Sequence, residues 1–509
     1  MNPTRQEQVT FWRTLGAALK AGRPLTRCLD ETASALAGTA MEAVCRATIE
    51  RLAGGATLSR ALLEFPGLFD ARVVRVVAAA EEGGILDVES ERIAAALAAD
   101  DLDRLDADAE SAEPTAQDGP AADYVRQLVL TAVSSRASDI HVEATQDGRG
   151  RVRLRVDGVL REQDPPAEGL FGAVVARLKT AAALDVAEAR LPQDGRFSLQ
   201  VEGDSFDLRL STIPNVWGER IVCRVLARRN IPLGLGHVGL DDDDLAKVRR
   251  LCELPSGIVI VNGPTGCGKT TILYSMLMEI NRPEVCVMTA EDPVEVTFEG
   301  LSQLQIKPSV GLTFARAIRS MLRQDPDVMM VGELRDLETM QLCVQVALTG
   351  HVLLTTLHAQ TSVGAVRRLI DCGVEPFLVN SALEGVITLR LVRVLCPKCR
   401  RPAEPAEHCL SPEAVRIIDA LDAPAFCEPV GCEHCGGTGF RGRRGIFEVL
   451  AMDERIRRAV GKPVDVGAIR DAARASGMTT MLADGLAKAA RGVTSVREVL
   501  RVVPPEEHA

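Results

Sequence analysis

The sequence predicts a multidomain fold: an all-α amino-terminal bundle, a small mixed α/β domain, and a doubly wound α/β domain with a cysteine-rich insertion and a helical carboxy-terminal region. Three observations support this prediction. The chain has 509 residues, which is too long for one hydrophobic core. The spacing of apolar residues changes along the chain from a helical period to strand alternation, and then to short apolar runs between helices. Aromatic residues make up only 3% of the chain, so aliphatic side chains and alanine must fill the cores.

The amino-terminal region, residues 1–99, has apolar positions at helical spacing, with glycine or proline at the breaks. This pattern predicts a small helical bundle. Residues 100–120 are acidic and poor in bulky apolar side chains. Such a composition buries too little surface to fold, so we expect a solvated linker.

A small mixed α/β domain is predicted for residues 121–235. One amphipathic helix precedes segments such as RVRLRV and SFDLRLSTI, in which apolar residues alternate with polar or basic ones. Asp157-Gly158 and the stretch Glu202-Gly203-Asp204 suit the tight turns of β-hairpins.

The following region, residues 236–394, contains the short apolar strands GIVIVNG, VCVMTAE, VMMVGE and HVLLTTLH, separated by helical segments. This alternation is typical of a parallel, doubly wound sheet. Cysteine pairs, proline and glycine interrupt residues 395–445, and residues 446–509 indicate short amphipathic helices.

A glycine-rich loop follows the strand GIVIVN directly and leads into a helical segment, which is the context that a Walker A motif requires. In such a loop, backbone amides converge on phosphate oxygens at the positive end of the helix. Lys269 would reach the β- and γ-phosphates, and the Thr270 hydroxyl would bind Mg²⁺. The sequence therefore predicts a site for ATP and Mg²⁺ made of Gly263, Pro264, Thr265, Gly266, Cys267, Gly268, Lys269, Thr270 and Thr271.

Acidic and imidazole side chains follow other strands of the same predicted sheet. Glu333 comes after VMMV, at the distance expected for the acid beside Mg²⁺ and the attacking water of a P-loop NTPase. Glu291, Asp292 and Glu295 lie at the carboxyl edge of the sheet, where ligands collect, and could order Mg²⁺ or water. His358 follows VLLTTL and could sense the γ-phosphate, although its position alone leaves a structural role equally open.

Four cysteines form two C-x₂-C pairs, Cys396 with Cys399 and Cys432 with Cys435. Paired knuckles of this kind predict a structural, tetrahedral Zn²⁺ site. The competing candidates in this region lack a second pairing partner at that spacing; they are His408, Cys409, Cys427 and His434.

These motifs together resemble the ATPases of type II secretion and type IV pilus assembly. GPTGCGKTT is similar to the Walker A motif of that family, TAEDPVE to its aspartate box, LRQDPDVMMVGELRD to its atypical Walker B motif with Glu333 as the acid, and LTGHVLLTTLHA to its histidine box. SDIHVE, LPQDGRF and RLSTIPNVWGERIVCRVL also match, so the resemblance covers about residues 120–509.

The resemblance implies a RecA-like ATPase core in a homohexamer of two-lobed subunits, with ATP between the lobes. It implies that Arg209 and Arg224 of the amino-terminal lobe complete the site, with Arg319 and Arg323 as secondary candidates; for either pair, a surface ion pair is the alternative. The implied activity is ATP hydrolysis that powers pseudopilus or pilus assembly and protein secretion through an inner-membrane platform protein.

The amino-terminal bundle has a resemblance of its own. Residues 9–97, with the phrases LKAGRPL, GATLSRAL and AAEEGGIL, resemble the cytoplasmic helical domain of the platform (F-type) protein of the same systems. Two roles stay open: docking on a platform protein by mimicking its self-association, or helping the ring to assemble.

Charge and hydropathy bear on two other classes of protein, nucleic-acid binders and membrane-spanning proteins. The net charge of -11 argues against a dedicated nucleic-acid binder. No apolar run reaches the roughly 18 residues of a membrane span, and the first residues lack a signal-peptide core, so we expect a cytoplasmic protein that meets the inner membrane through partners. The basic stretches RVRLRVDGVLR and GFRGRRG keep a nucleic-acid-translocating or DNA-uptake-linked ring ATPase as an alternative. A third possibility is a nucleotide-binding scaffold without turnover.

Overall fold

The computed structural model describes residues 3–20, 25–53, 57–65, 68–83, 86–99, 119–201, 204–227, 234–405, 408, 410–461 and 463–503. The chain forms two compact units, Met1–Ala227 and Arg228–Ala509. Among the helices that the structure describes, none combines the length and the apolar character needed to cross a bilayer.

The amino-terminal part is all-helical, as predicted. Its helices are α1 (Arg5–Lys20), α2 (Leu25–Ala35), α3 (Ala40–Ala53), α4 (Leu58–Leu62), α5 (Ala71–Gly83) and α6 (Leu86–Ala99). Phe11 and Trp12 of α1 are fully buried and meet edge to face, with 4.9 Å between their ring centroids. A Cβ on Gly16 would lie 3.1 Å from the Asp87 carbonyl oxygen, so glycine lets α1 and α6 approach closely. Most of the predicted acidic linker, residues 100–118, lies outside the described residues.

The mixed α/β region begins with α7 (Pro120–Ser134) and also contains α8 (Phe171–Ala181). Its six strands are β1 (Ala137–Glu143), β2 (Arg151–Val156), β3 (Val159–Gln163), β4 (Gln193–Val201), β5 (Asp204–Asn215) and β6 (Gly218–Ala227). They form one antiparallel sheet in the order β3-β2-β1-β6-β5-β4. The Asp157-Gly158 turn joins β2 to β3 as predicted, whereas the predicted turn at Glu202-Gly203 lies outside the described residues.

Successive rows of this sheet alternate in character, because neighbouring residues of a strand point to opposite faces. One row runs Leu154, Ile140, Cys223 and Leu210 across four strands, and all four side chains are buried in the core with α7 and α8. The adjacent row, on the opposite face, is charged: Arg155, Asp139, Arg224, Arg209 and Arg196.

The second unit is built on a seven-stranded sheet in the order β15-β12-β7-β11-β10-β8-β9. The strands are β7 (Gly257–Asn262), β8 (Val287–Glu291), β9 (Leu301–Gln305), β10 (Val328–Val331), β11 (Val352–Leu357), β12 (Leu383–Leu395) and β15 (Phe440–Ala451). All neighbours pair in parallel except β12 and β15. This confirms the doubly wound sheet. The apolar runs of the sequence predict β7, β8, β10 and β11 but not the other three strands.

Helices cover both faces of this sheet: α9 (Asp242–Cys252), α10 (Lys269–Ile280), α11 (Phe314–Met321), α12 (Leu337–Leu348), α13 (Ser362–Asp371) and α14 (Pro376–Ala382). Ile258 and Ile260 of β7 belong to one apolar core, and Val259 and Val261 belong to another on the opposite face. Burial on both faces explains why the strand sequence is a continuous apolar run.

The cysteine-rich segment lies between β12 and β15 and contains the short strands β13 (Arg401–Pro402) and β14 (Cys427–Glu428) and the helix α15 (Pro412–Asp419). The described residues after β15 form four helices: α16 (Glu454–Ala459), α17 (Val466–Ala475), α18 (Met481–Ala490) and α19 (Val496–Val502). These elements confirm the helical carboxy-terminal region.

A buried carboxylate fixes α19 to the sheet. Glu498 is 2% exposed and accepts hydrogen bonds from Arg393 of β12 and from Arg501, each at 2.7 Å from a guanidinium nitrogen. Burial alone would raise the pKa of Glu498, but the hydrogen bonds from Arg501 and Arg393 outweigh it and lower that pKa to about 2. The last helix is therefore held by a paired, ionised group.

Candidate nucleotide site and metal centre

The glycine-rich loop connects β7 to α10 as the sequence predicts. Gly266 and Gly268 have φ of 75° and 100°, and a Cβ on Gly263 would lie 2.6 Å from the Leu389 carbonyl oxygen of β12. These positions require glycine. Gly268 caps α10 and has no side chain to occupy the first-turn amides, so the helix presents free N–H groups to an anion.

Lys269 is held inside this loop. Its Nζ donates to the carbonyl oxygens of Gly263 and Pro264 at 2.9 and 3.0 Å. Burial lowers the pKa of Lys269, while the neighbouring Cys267 and Glu333 act in the opposite direction. The ammonium can exchange these two carbonyl acceptors for phosphate oxygens. Thr270 is exposed on the first turn of α10, and Thr271 is half-buried behind it.

The structure places Glu333 at the edge of the same sheet. It follows Gly332, just beyond β10, and its side chain is 22% exposed. Arg335 forms an ion pair with Glu333 and lies 3.9 Å from the Asp292 carboxylate. Sequence reasoning missed Arg335, although its position two residues after the acid is a usable signal. Glu333, Asp292 and Lys269 thus converge on one region from three separate strands.

Glu291 is placed differently from Glu333. It is 4% exposed and accepts hydrogen bonds from the Tyr274 hydroxyl and the Thr289 hydroxyl, both at 2.5 Å, and from Gln303 Nε2 at 3.0 Å. Burial and this hydrogen bond raise the pKa of Tyr274. The network ties α10 to β8 and β9, so the geometry favours a structural role. A catalytic role for Glu291 stays a prediction, as it does for the exposed Asp292 and Glu295.

His358 is exposed immediately after β11, beside Gly263 and Pro264 in the wall of a cavity of about 550 Å³. The buried Asn262 at the end of β7 accepts a hydrogen bond from the Ala359 amide at 2.7 Å, which fixes the backbone next to His358. Asn262 is not among the residues predicted from the sequence, although a polar residue that ends a fully apolar strand is a signal that could have found it.

Arg209 and Arg224 lie opposite each other on β5 and β6, on the charged face of the antiparallel sheet. Arg224 Nε is 3.4 Å from an Asp139 carboxylate oxygen, and both arginines line a cleft of about 470 Å³. The structure therefore brings the two predicted arginines together. The secondary candidate Arg319 forms an exposed ion pair with Glu338 at 2.6 Å, and Arg323 donates to the Arg319 carbonyl oxygen.

The four predicted cysteines form one cluster. The Sγ atoms of Cys396, Cys399, Cys432 and Cys435 all lie within 4.8 Å of one another. The Gly431 amide donates to Cys399 Sγ at 3.3 Å and the Gly439 amide to Cys435 Sγ at 3.2 Å, contacts that orient sulfur ligands and stabilise thiolates.

The chemistry of this cluster fits Zn²⁺, because four cysteine thiolates in a tetrahedral arrangement are a common ligand set of structural zinc. Burial alone would raise the pKa of Cys435, but the hydrogen bonds from the Cys432 and Gly439 amides help lower it to about 6. Among the residues that the structure describes in this segment, Cys427, His408 and His434 are not in the cluster, and Cys409 lies outside the described residues.

Comparison with known proteins now identifies the family. Residues 114–501, more than half of the chain, match the family of Type II/IV secretion system proteins. The chain belongs to this family. It is a secretion ATPase, an enzyme that hydrolyses ATP. Residues 11–117 match a second family, Type II secretion system (T2SS), protein F, which confirms the F-type resemblance of the amino terminus.

Individual relatives agree with the assignment to this secretion family. Type II secretion system protein E of Xanthomonas campestris pv. campestris is 44% identical over 399 residues, which are 78% of this chain and 69% of that protein. Type II secretion system ATPase E of Vibrio cholerae is 43% identical over 76% of each chain. The X-ray structure of the Legionella pneumophila ATPase DotB has a TM-score of 0.56 at 22% identity, over 77% of this chain and 97% of that one, and shows the shared fold.

Proposed function

We propose that this secretion ATPase is a homohexameric motor that uses ATP hydrolysis to drive pseudopilus or pilus assembly through an inner-membrane platform protein. The observation that carries the proposal is the convergence of Lys269, Glu333 and the open amino terminus of α10 at one sheet edge. The names of the relatives, which belong to type II secretion, support the choice of process.

In the proposed reaction, the loop amides and Lys269 hold the β- and γ-phosphates. Thr270 would hold Mg²⁺, which neutralises developing charge on the phosphates. Glu333 orients the attacking water, and its ion pair with Arg335 keeps the carboxylate near the edge without burying it. Arg209 and Arg224 would complete the site from the amino-terminal lobe, because guanidinium groups stabilise charge on a transferring phosphoryl group.

The amino-terminal helical domain is proposed to dock on the platform protein and to bring the motor to the cytoplasmic side of the inner membrane. The match of residues 11–117 to the F-type family supports a contact between like domains. Zn²⁺ at the four cysteines is proposed as a structural ion, since the four thiolates would supply all the ligands of a tetrahedral site.

The nucleic-acid alternative has less support. The basic strand β2 has its arginines paired within the sheet: Arg151 with Glu162, Arg153 with Glu143 at 2.6 Å, and Arg155 with Asp139 at 3.6 Å. Paired guanidinium groups contribute little to phosphate attraction. Stimulation of hydrolysis by DNA with steep salt dependence would restore this alternative.

The test of the proposed reaction is Glu333→Gln in the full-length protein. We expect Mg²⁺-dependent ATP turnover to fall by about 10²–10⁴-fold, the usual contribution of a positioned base, while nucleotide affinity stays within a few fold. Steady-state hydrolysis and equilibrium nucleotide binding measure the two quantities. Glu253→Gln, an exposed acid of the same unit, is the matched control. Turnover in Glu333→Gln equal to that of the control would remove Glu333 from its role.

A further inference from the structure

The cavity beside the phosphate-binding loop has a basic wall. Gly263, Pro264, the segment His358–Gln360, Arg390 and the segment Leu500–Val503 line this space of about 550 Å³. Its ionisable lining groups are His358, Arg390 and Arg501, and none of the lining residues is acidic. A concave space of this composition favours an anion.

Arg390 is the unusual member of this wall. Its Nε is buried and has no hydrogen-bond partner among the residues that the structure describes. The side chain is half-buried, and burial lowers the pKa of Arg390, so the fold carries a partly desolvated guanidinium with one unpartnered donor. A ligand in the cavity could accept the hydrogen bond that this buried Nε does not make within the described residues.

Arg393, three residues further along β12, differs from Arg390 in its hydrogen bonds and is an example of a structural arginine in this fold. Arg393 is bonded to Glu498 and lies 4.1 Å from the centroid of the Phe440 ring. Because Glu498 already binds Arg393 and Arg501, its carboxylate is committed to holding α19 in place. Glu498 therefore holds the wall of the cavity together through Arg393 and Arg501.

The position of Arg390 relative to the loop is fixed by the backbone. β12 pairs in parallel with β7 through Thr388 and Asn262, and the Leu389 carbonyl oxygen lies against Gly263. Arg390 is the next residue, so its side chain belongs to the same sheet edge as the phosphate-binding loop. Neither the loop motif nor the acidic and histidine boxes includes it.

We propose that this cavity is a phosphate-binding site in which Arg390 donates hydrogen bonds to a phosphate group beside Gly263 and Pro264. The phosphate has two possible sources, the terminal group of bound ATP and the inorganic phosphate released by hydrolysis. The inference rests on the proposed ATP site and adds a residue to it.

The experiment compares wild type, Arg390→Gln and the control Arg367→Gln, an exposed arginine of α13, as full-length proteins. We measure the affinity for ADP and for a non-hydrolysable ATP analogue, and the inhibition of hydrolysis by inorganic phosphate. If the terminal group of ATP is the ligand, Arg390→Gln lowers the affinity for the analogue about tenfold and leaves the affinity for ADP unchanged, as expected for one charge-assisted contact. If released phosphate is the ligand, the affinities for ADP and for the analogue are unchanged, and inhibition of hydrolysis by inorganic phosphate weakens about tenfold.

Two results would overturn the inference. In the first, all three measurements for Arg390→Gln equal those for Arg367→Gln. In the second, ADP and analogue affinities fall together, which would mean that the substitution disturbs the loop. The melting temperature of the nucleotide-free protein gives a further readout. Removing a half-buried guanidinium whose Nε has no partner among the described residues should leave this temperature unchanged or raise it, whereas removing a structural arginine would lower it.

Failure of the proposed function has a different signature. A wild-type protein that neither binds nor hydrolyses ATP in the presence of Mg²⁺ contradicts the motor proposal whatever Arg390 does. Normal hydrolysis by wild type, with an Arg390→Gln variant that behaves as the control does, contradicts only the phosphate site.

Discussion

The nucleotide edge of the seven-stranded sheet and the tetracysteine cluster are two sites of one unit, and they are built in opposite ways. The cluster takes its four ligands from one segment between two adjacent strands, and its sulfurs lie within 4.8 Å of one another. The nucleotide edge collects Lys269, Asp292 and Glu333 from the ends of three strands that are far apart in sequence. The first arrangement suits a part that stabilises the fold, and the second suits a place where substrate completes the contacts.

The largest change that we expect, and the most direct test of this difference between the two sites, comes from removing one sulfur of the cluster. Cys432→Ser should lower the free energy of unfolding by about 4 kcal/mol or more, because loss of a structural metal is among the largest single effects. ATP turnover per folded molecule should change far less. Metal content and chemical unfolding of Cys432→Ser measure these effects.

Cys427→Ser is the control for that experiment, since Cys427 lies in the same segment but not in the cluster. Equal zinc content and equal stability in the two variants would show that the cluster is an ordinary group of thiols.

A smaller effect tests whether Glu498 holds α19 to the sheet. The pKa of Glu498 is about 2 in the folded protein, below its ordinary value of 4.5. Stability from this group is therefore present above pH 4.5 and lost as the pH falls toward 2. Relative to Glu498→Gln, wild type should lose about 2 kcal/mol of unfolding free energy between pH 7 and pH 3.

Urea unfolding at several pH values measures this difference. Glu454→Gln serves as the matched variant, because Glu454 forms an exposed ion pair on α16. A constant stability difference between wild type and Glu498→Gln across that range would contradict the assigned clamp.

The smallest effect concerns Glu291. This residue lies at the nucleotide edge, but it is buried, and it is bonded within the fold as the cluster cysteines are. Glu291→Gln keeps a side chain of the same size but weakens the hydrogen bonds from Tyr274, Thr289 and Gln303, so we expect a loss of about 1 kcal/mol of stability. Turnover should fall much less than in Glu333→Gln. If turnover instead collapses while the unfolding curve is unchanged, the catalytic prediction for Glu291 is correct and the structural interpretation is wrong.

Features coded by adjacent residues could be predicted from the sequence. The phosphate-binding loop, the cysteine pairs and the four buried strands each depend on residues within a short stretch, where spacing alone determines geometry. The structure confirms the doubly wound sheet and brings the four thiols together.

Features that depend on which strands lie side by side could not be predicted in the same way. The three donors around Glu291 come from α10, β8 and β9, and spacing cannot show that they meet. The sequence also cannot show that Arg390 Nε has no hydrogen-bond partner among the described residues, because Arg390 and Arg393 occupy the same apolar and basic stretch of β12. Burial and pairing are properties of the packed fold and not of local pattern.

The pairing of β12 with β15 runs from Gly385 opposite Ala451 to Leu395 opposite Phe440. The cysteine-rich segment therefore leaves and rejoins the sheet at neighbouring points, one strand spacing apart. Its residues Ala414 and Phe426 share an apolar core with Val392 of β12 and Ile446 of β15, so removal of the segment would open a core that belongs to the sheet as well.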